Sequence, residues 1–173
     1  MMTLEDYITT IPDFPEKGVL FRDITSVIEN ADGFKLSINE LLELMSDIEF
    51  DKLVTLESRG FIFGAPIAYE LEKPMVLVRK KGKLPRETIS QDYGLEYGEA
   101  TIEIHKNSIN PGDRVIILDD LIATGGTIEA AGKLIEKLGG QVVRVVALVE
   151  LRGFNARGRL NYDVATALSY EGK

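Results

Sequence analysis

The sequence predicts an α/β protein built on a mainly parallel, twisted sheet flanked by helices. Short, wholly apolar runs rich in Val and Ile alternate with longer stretches whose apolar residues recur at helical spacing. Two polar segments, ESRG (Glu57 to Gly60) and DDLIATGGT (Asp119 to Thr127), each follow an apolar run and precede a helical one. That placement puts both on the sheet edge where parallel sheets bind ligands, beyond the C-terminal ends of the strands. At 173 residues, with no internal repeat and no linker, the chain reads as one domain with a core of its own.

Taken in order, DGFKLSINELLELMSDI spaces Phe34, Ile38, Leu41, Leu42, Met45 and Ile48 as one face of an amphipathic helix. KLVTL (Lys52 to Leu56) is the first buried strand, and FIFGAPIAYELE after ESRG is a helix. MVLV (Met75 to Val78) is the second strand. The stretch from Arg79 to Gly98 shows no sustained periodicity and carries Gly82, Pro85, Gly94 and Gly98, the composition of a loop. ATIEIH alternates as a strand does, and RVIIL is the third buried strand. GTIEAAGKLIEKLG is a helix closed by Gly139, VVRVVALVEL a fourth strand and YDVATAL a fifth.

Composition narrows the function. Apolar residues make up 45% and charged residues 28%, as in an ordinary globular protein. The absence of cysteine excludes disulfides, thiol catalysis and thiolate-held metals. No apolar run approaches the roughly 20 residues that span a bilayer, and the acidic, proline-interrupted N-terminus is unlike a signal peptide, so the expected location is cytoplasmic, with no membrane partner. A net charge of −8 argues against nucleic acid as a partner. VRKKGKLPR runs against that charge, and on charge alone it is either a solvated loop or a small-anion site.

The chemistry concentrates in VIILDDLIATGGT (Val115 to Thr127). Ala123, Thr124, Gly125, Gly126 and Thr127 lead into a helix, so their N–H groups lie at its positive end, where phosphate binds. The glycines let the backbone approach the anion, and the threonines add hydroxyl donors. The loop has no lysine in Walker spacing and is not G-x-G-x-x-G. Asp119 and Asp120 beside a phosphate cradle fit a ligand whose hydroxyls lie near its phosphate, as in a ribose 5-phosphate; the bland alternative is a turn pair.

An apolar strand, Asp-Asp and A-T-G-G-T together resemble the phosphoribosyl pyrophosphate (PRPP) motif of the type I phosphoribosyltransferases. IPDFPEKGVLFRDIT, ESRGFIFG, RKKGKLP and LEYG follow the order found in the adenine-specific members, and the resemblance runs from about Ile11 to Tyr170. It implies that fold, with a small N-terminal hood over about residues 1–32 and a flexible active-site loop over about residues 82–100. It also implies a homodimer that converts adenine and PRPP to AMP and pyrophosphate. Mg²⁺ is the implied cofactor, held mainly through PRPP with no direct protein ligand.

The site residues follow by the same resemblance. Asp119 and Asp120 take the ribose hydroxyls, and Ala123, Thr124, Gly125, Gly126 and Thr127 the 5-phosphate. Arg59, Arg79, Lys80 and Lys83 take pyrophosphate, with a non-proline cis peptide expected within Glu57 to Arg59. Phe21 stacks on adenine with Ile122 on its other face, while the backbone of Leu20, Phe21 and Arg22 reads the base edge. Without the resemblance, Phe21 reads as an ordinary core aromatic. Glu96, in the closing loop with Tyr97, is the implied catalytic carboxylate, although a glutamate in a charged loop is ordinarily just solvated. His105 is assigned no role. The competing readings are a relative specific for another base and a PRPP-sensing regulator, which the absence of an added DNA-binding segment disfavours.

Overall fold

The computed structural model describes residues 1–95 and 98–172; Glu96, Tyr97 and the terminal Lys173 lie outside the described residues. A 3₁₀ turn at Leu4–Tyr7 leads into an antiparallel hairpin of β1 (Thr9–Pro12) and β2 (Leu20–Asp23). Helices α1 (Thr25–Ile28) and α2 (Ala31–Glu43) follow, the second capped by the Asn30 side chain, which accepts from the Asp32 and Gly33 N–H groups. The remaining elements are β3 (Lys52–Leu56), α3 (Arg59–Leu71), β4 (Met75–Lys80), β5 (Thr88–Gly94), β6 (Glu99–His105), β7 (Arg114–Ile122), α4 (Gly126–Lys137), β8 (Gln141–Leu151), α5 (Ala156–Arg159) and β9 (Val164–Tyr170).

These strands form one sheet in the order β5-β6-β4-β3-β7-β8-β9. β4, β3, β7, β8 and β9 run parallel, while β6 joins β4 antiparallel and carries β5 as its hairpin partner. β3 and β7 are adjacent at the centre, so the segments that follow them emerge side by side at the C-terminal edge. Alternation along the strands divides the core in two. Val54, Leu56, Val115 and Ile117 pack with Ile128, Leu134 and Ile135 of α4. Leu53, Ile116 and Leu118 pack with Leu41, Phe63 and Ile67 on the other face. Among the described residues no helix is long and apolar enough to cross a membrane.

Several boundaries differ from the sequence expectation: α2 stops at Glu43, short of Met45 and Ile48, and β4 runs on through Lys80. β7 continues past RVIIL through Asp119, Asp120, Leu121 and Ile122, so the acidic pair sits on the strand end rather than in the loop. α3 begins at Arg59, which places Arg59 and Gly60 in its first turn. The stretch Arg79 to Gly98, read as aperiodic, contains β5. Ile89, Gln91 and Tyr93 of that strand are half-buried on one side. The inward Gln91, which accepts from Lys137 Nζ at 2.8 Å, masks the alternation.

The contact between α3 and β3 leaves no room for a side chain at Gly64. A Cβ there would lie 2.3 Å from Cγ2 of the fully buried Thr55. Glycine-to-alanine in a helix ordinarily favours the fold by up to about 1 kcal/mol, whereas overpacking costs about 1–3 kcal/mol. Gly64→Ala is therefore expected to lower stability, read as a lower urea midpoint at unchanged slope.

Candidate active site

The acidic pair lies where three elements meet. Asp120 is buried and Asp119 half-buried at the end of β7, and the Asp120 N–H donates to Asp119 Oδ1 at 2.8 Å. The first turn of α3 packs directly on this strand end. A Cβ at Gly60 would stand 3.0 Å from Asp119 Oδ1 and 3.2 Å from the Leu118 carbonyl oxygen, so the close approach requires glycine. Burial pushes the Asp119 carboxyl well above its ordinary value, and the neighbouring Asp120 charge pushes it further. Arg59 Nε is 2.6 Å from Asp120 Oδ2, but the pair lacks hydrogen-bond geometry. Asp120 Oδ2 is thus a buried carboxylate oxygen with a counter-charge beside it and no hydrogen-bond partner among the described residues.

Two cavities flank the pair. One, of about 140 Å³, is enclosed by the Ala123-to-Thr127 loop together with Asp119 and Leu121. Gly125 caps α4 with φ +82°, a conformation that favours glycine, and α5 supports it from beneath: a Cβ on Gly125 would stand 3.2 Å from that of Ala156. The Gly126 N–H has only a long 3.4 Å bond to Thr124 Oγ1, which leaves it available to an anion at the helix N-terminus. The other cavity, of about 590 Å³, is basic on one side, with Arg59, Lys80 and Lys83, and acidic on the other, with Asp119 and Asp120. Both cavities share Asp119 and Leu121.

The basic residues divide into two groups. Lys80 and Lys83 line the larger cavity beside Arg59. Arg79 is engaged elsewhere: its Nε and Nη2 reach Glu57 Oε1 at 3.1 and 2.8 Å, while the Lys80 N–H donates to Glu57 Oε2 at 2.9 Å. Burial pushes the Glu57 carboxyl up, but the Lys80 N–H and Arg79 outweigh it and hold the group below its ordinary value. Arg79 therefore neutralises a carboxylate that would otherwise repel an anion, and it fixes the start of the lysine segment. The peptide bond between Glu57 and Ser58 is cis, within the expected span.

Among the base-side candidates, the structure separates Ile122 from its neighbour Leu121. Ile122 is 1% exposed, packs into the α4-side core and borders the smaller cavity but not the larger one. Leu121, half-buried against the opposite core cluster, is the apolar residue that lines both cavities. The alternation that places Ile117 with α4 and Leu118 opposite is shifted by one residue beyond the acidic pair. In the hood, Phe21 is half-buried with Phe14 edge-on to it at 5.1 Å between ring centroids. Leu20 and Arg22 alternate with it and line a separate cavity against the sheet. Glu96 and Tyr97 lie outside the described residues. His105 is half-buried on β6, where its Nε2 accepts from the Arg86 N–H at 3.3 Å.

A carboxylate pair flanked by a phosphate-type loop and a basic cavity is the arrangement the motif implied, and comparison with known proteins agrees with it. The model of the phosphoribosyl transferase domain family matches residues 26–165. Over 174 residues that take in all of both chains, the sequence is 59% identical to the adenine phosphoribosyltransferase of Agathobacter rectalis. The chain belongs to the adenine phosphoribosyltransferase family. It is also 60% identical to the Butyrivibrio fibrisolvens adenine phosphoribosyltransferase, over all of this chain and 96% of the other. The fold likewise resembles solved adenine phosphoribosyltransferase structures. That of the Thermoanaerobacter pseudethanolicus enzyme superposes with a TM-score of 0.92 at 48% identity, covering 97% of this chain and 100% of the other. The Saccharomyces cerevisiae enzyme, solved with an imino-altritol bisphosphate and adenine, gives 0.89 at 40% identity over 95% and 96%.

Proposed function

We propose that this chain transfers the 5-phosphoribosyl group of PRPP to adenine, giving AMP and pyrophosphate, with the residues around Asp119 and Asp120 as the site. The observation that carries the reading is the acidic pair, Asp120 buried and Asp119 half-buried, set between an anion cradle and a basic cavity. In this reading the 5-phosphate sits on the loop from Ala123 to Thr127. The ribose hydroxyls donate to Asp119 and Asp120, and the pyrophosphate lies among Arg59, Lys80 and Lys83. As the bond from C1 to the pyrophosphate oxygen breaks, ribose gains oxocarbenium character and the leaving oxygen gains charge. Those three cations stabilise that charge. Adenine N9 forms the new bond to C1 and gives up its proton, for which Glu96 is the proposed acceptor. The aromatic face of Phe21 and the half-buried Leu121 are proposed to sandwich the base, with the backbone of Leu20 to Arg22 along its edge.

Among the described residues no cluster of three or more acidic or histidine side chains is placed to hold a metal ion. The larger cavity, with Asp119 and Asp120 facing Arg59, Lys80 and Lys83, suits a diphosphate that brings its own Mg²⁺, because Mg²⁺ commonly takes most of its ligands from substrate phosphates and water. When bound, such an ion supplies neutralisation of the departing anion. The resemblance that carries adenine and PRPP also carries a homodimer, which is proposed with them.

The decisive assay mixes purified protein, PRPP and Mg²⁺ with each nucleobase in turn. Pyrophosphate release with adenine and not with hypoxanthine, guanine or uracil is the expected result; release with another base in preference would replace the substrate. Arg59→Ala is expected to lower turnover roughly 10- to 100-fold, the loss of one charge-assisted contact. AMP, which carries no pyrophosphate, should bind within about threefold of the parent level in that variant. Equal losses in both would assign Arg59 to holding Asp120, as the 2.6 Å ion pair has it.

A further inference from the structure

We propose that Tyr170 is a positioning residue for base recognition, its ring holding the Arg22 side chain and thereby the hairpin whose backbone borders the base. The inference rests on the adenine reading above. Residues 9–23, which include the whole hairpin, are all exposed or half-buried, Ile11, Phe14 and Leu20 among the exposed, so little of its apolar surface is packed to fasten it. Its base is anchored by the buried Ile8 and Ile24. Along its length, the Arg22 guanidinium lies 4.0 Å above the centre of the Tyr170 ring, a cation–π contact. The same guanidinium donates from Nη1 to Thr10 Oγ1 at 2.5 Å, so one side chain ties both strands of the hairpin to the ring.

Tyr170 itself is placed by the sheet. It ends β9, in register with Leu151 at the end of β8. Arg22, Leu20, Leu151 and Tyr170 together enclose a cavity of about 350 Å³ between the hairpin and the sheet edge. That gap is why the ring matters: the hairpin does not rest on the sheet there but is held off it by the Arg22–Tyr170 contact. Burial and the Glu5 carboxylate push the Tyr170 hydroxyl up, so the ring stays neutral while it carries the cation. Because Arg22 is fixed through its side chain, its backbone and those of Leu20 and Phe21 are held in one position relative to the parallel sheet.

The test compares Tyr170→Leu, Tyr170→Phe and Phe21→Leu in the full-length chain by steady-state kinetics with both substrates varied, together with thermal melting. Tyr170→Leu keeps bulk but loses the ring, and is expected to raise KM for adenine roughly 3- to 30-fold, the range of a cation–π contact. Its kcat and its KM for PRPP should stay within about twofold, and Tyr170→Phe, which keeps the ring face, should return KM for adenine to the parent value. An unchanged KM for adenine in Tyr170→Leu would overturn the inference. So would a joint rise in both KM values with a lowered melting temperature, since that is the signature of a merely structural ring. Phe21→Leu separates the two readings. If it leaves KM for adenine unchanged, the hood is not the base site and the underlying reading fails. If it raises that KM while Tyr170→Leu does not, only the positioning role fails.

Discussion

The double variant Asp119→Asn with Asp120→Asn is expected to bind PRPP about 10²–10⁴ times more weakly while keeping its fold, since each charge-assisted hydrogen bond is worth about 1.5–3 kcal/mol. The loss should show as a missing thermal shift: PRPP stabilises the parent chain by binding only its folded form, and a weak binder forfeits that gain. Without ligand, the single variant Asp119→Asn should be more stable than the parent at neutral pH, because it removes a partly desolvated charge beside another carboxylate. The pH dependence has a definite sign. Asp119 is raised above its ordinary 3.8, so it holds its proton more tightly folded than unfolded. Its contribution to stability is therefore fully present below 3.8 and is lost as pH rises through the raised value. Denaturation at pH 4 and pH 7 should accordingly show the advantage of Asp119→Asn growing with pH. A constant difference would mean that Asp119 is not strained by its burial, and PRPP binding at parent strength in the double variant would remove the ribose assignment.

Glu96→Gln is expected to slow the chemical step by roughly 10²–10⁴, the usual contribution of a general acid or base. The substitution keeps size and hydrogen bonding but removes the charge that accepts the base proton. PRPP affinity should barely change, since the proposed role of Glu96 is on the base side. Glu99→Gln is the control: Glu99 is exposed at the start of β6, paired with Gly94, and its variant should be nearly silent. Single-turnover kinetics separates chemistry from product release, so a parent-like chemical step in Glu96→Gln would return this residue to an ordinary solvated glutamate.

The candidate site was legible in the sequence wherever its chemistry is local. A phosphate loop needs glycine and hydroxyl residues directly before a helix, and Gly125 at φ +82° on the N-terminus of α4 is that requirement met within a few residues. The two acidic residues are neighbours in sequence and therefore in space. The cis peptide at Glu57–Ser58 also fell where the ESRG resemblance put it. Residues 96 and 97 were reachable by motif only, as they lie outside the described residues.

The α/β class, KLVTL and RVIIL as buried strands and the anion-binding character of the loop could all be read from sequence, because periodicity and turn chemistry act over a few residues. Only packing settled that Leu121, and not Ile122, reaches the larger cavity, while both border the smaller one. Both are apolar, and the alternation that sorts β7 shifts at the acidic pair, so no count along the strand could choose between them. It also decided that Arg79 serves Glu57, 22 positions away, since a cation in sequence says nothing of which carboxylate the sheet will bring beside it. β5 was hidden for a related reason: its inward face includes Gln91, whose amide oxygen accepts from Lys137 on α4, a partner that exists only once the helix has packed. Local pattern sets which face a residue tends toward; packing against distant elements sets which partner it finally meets.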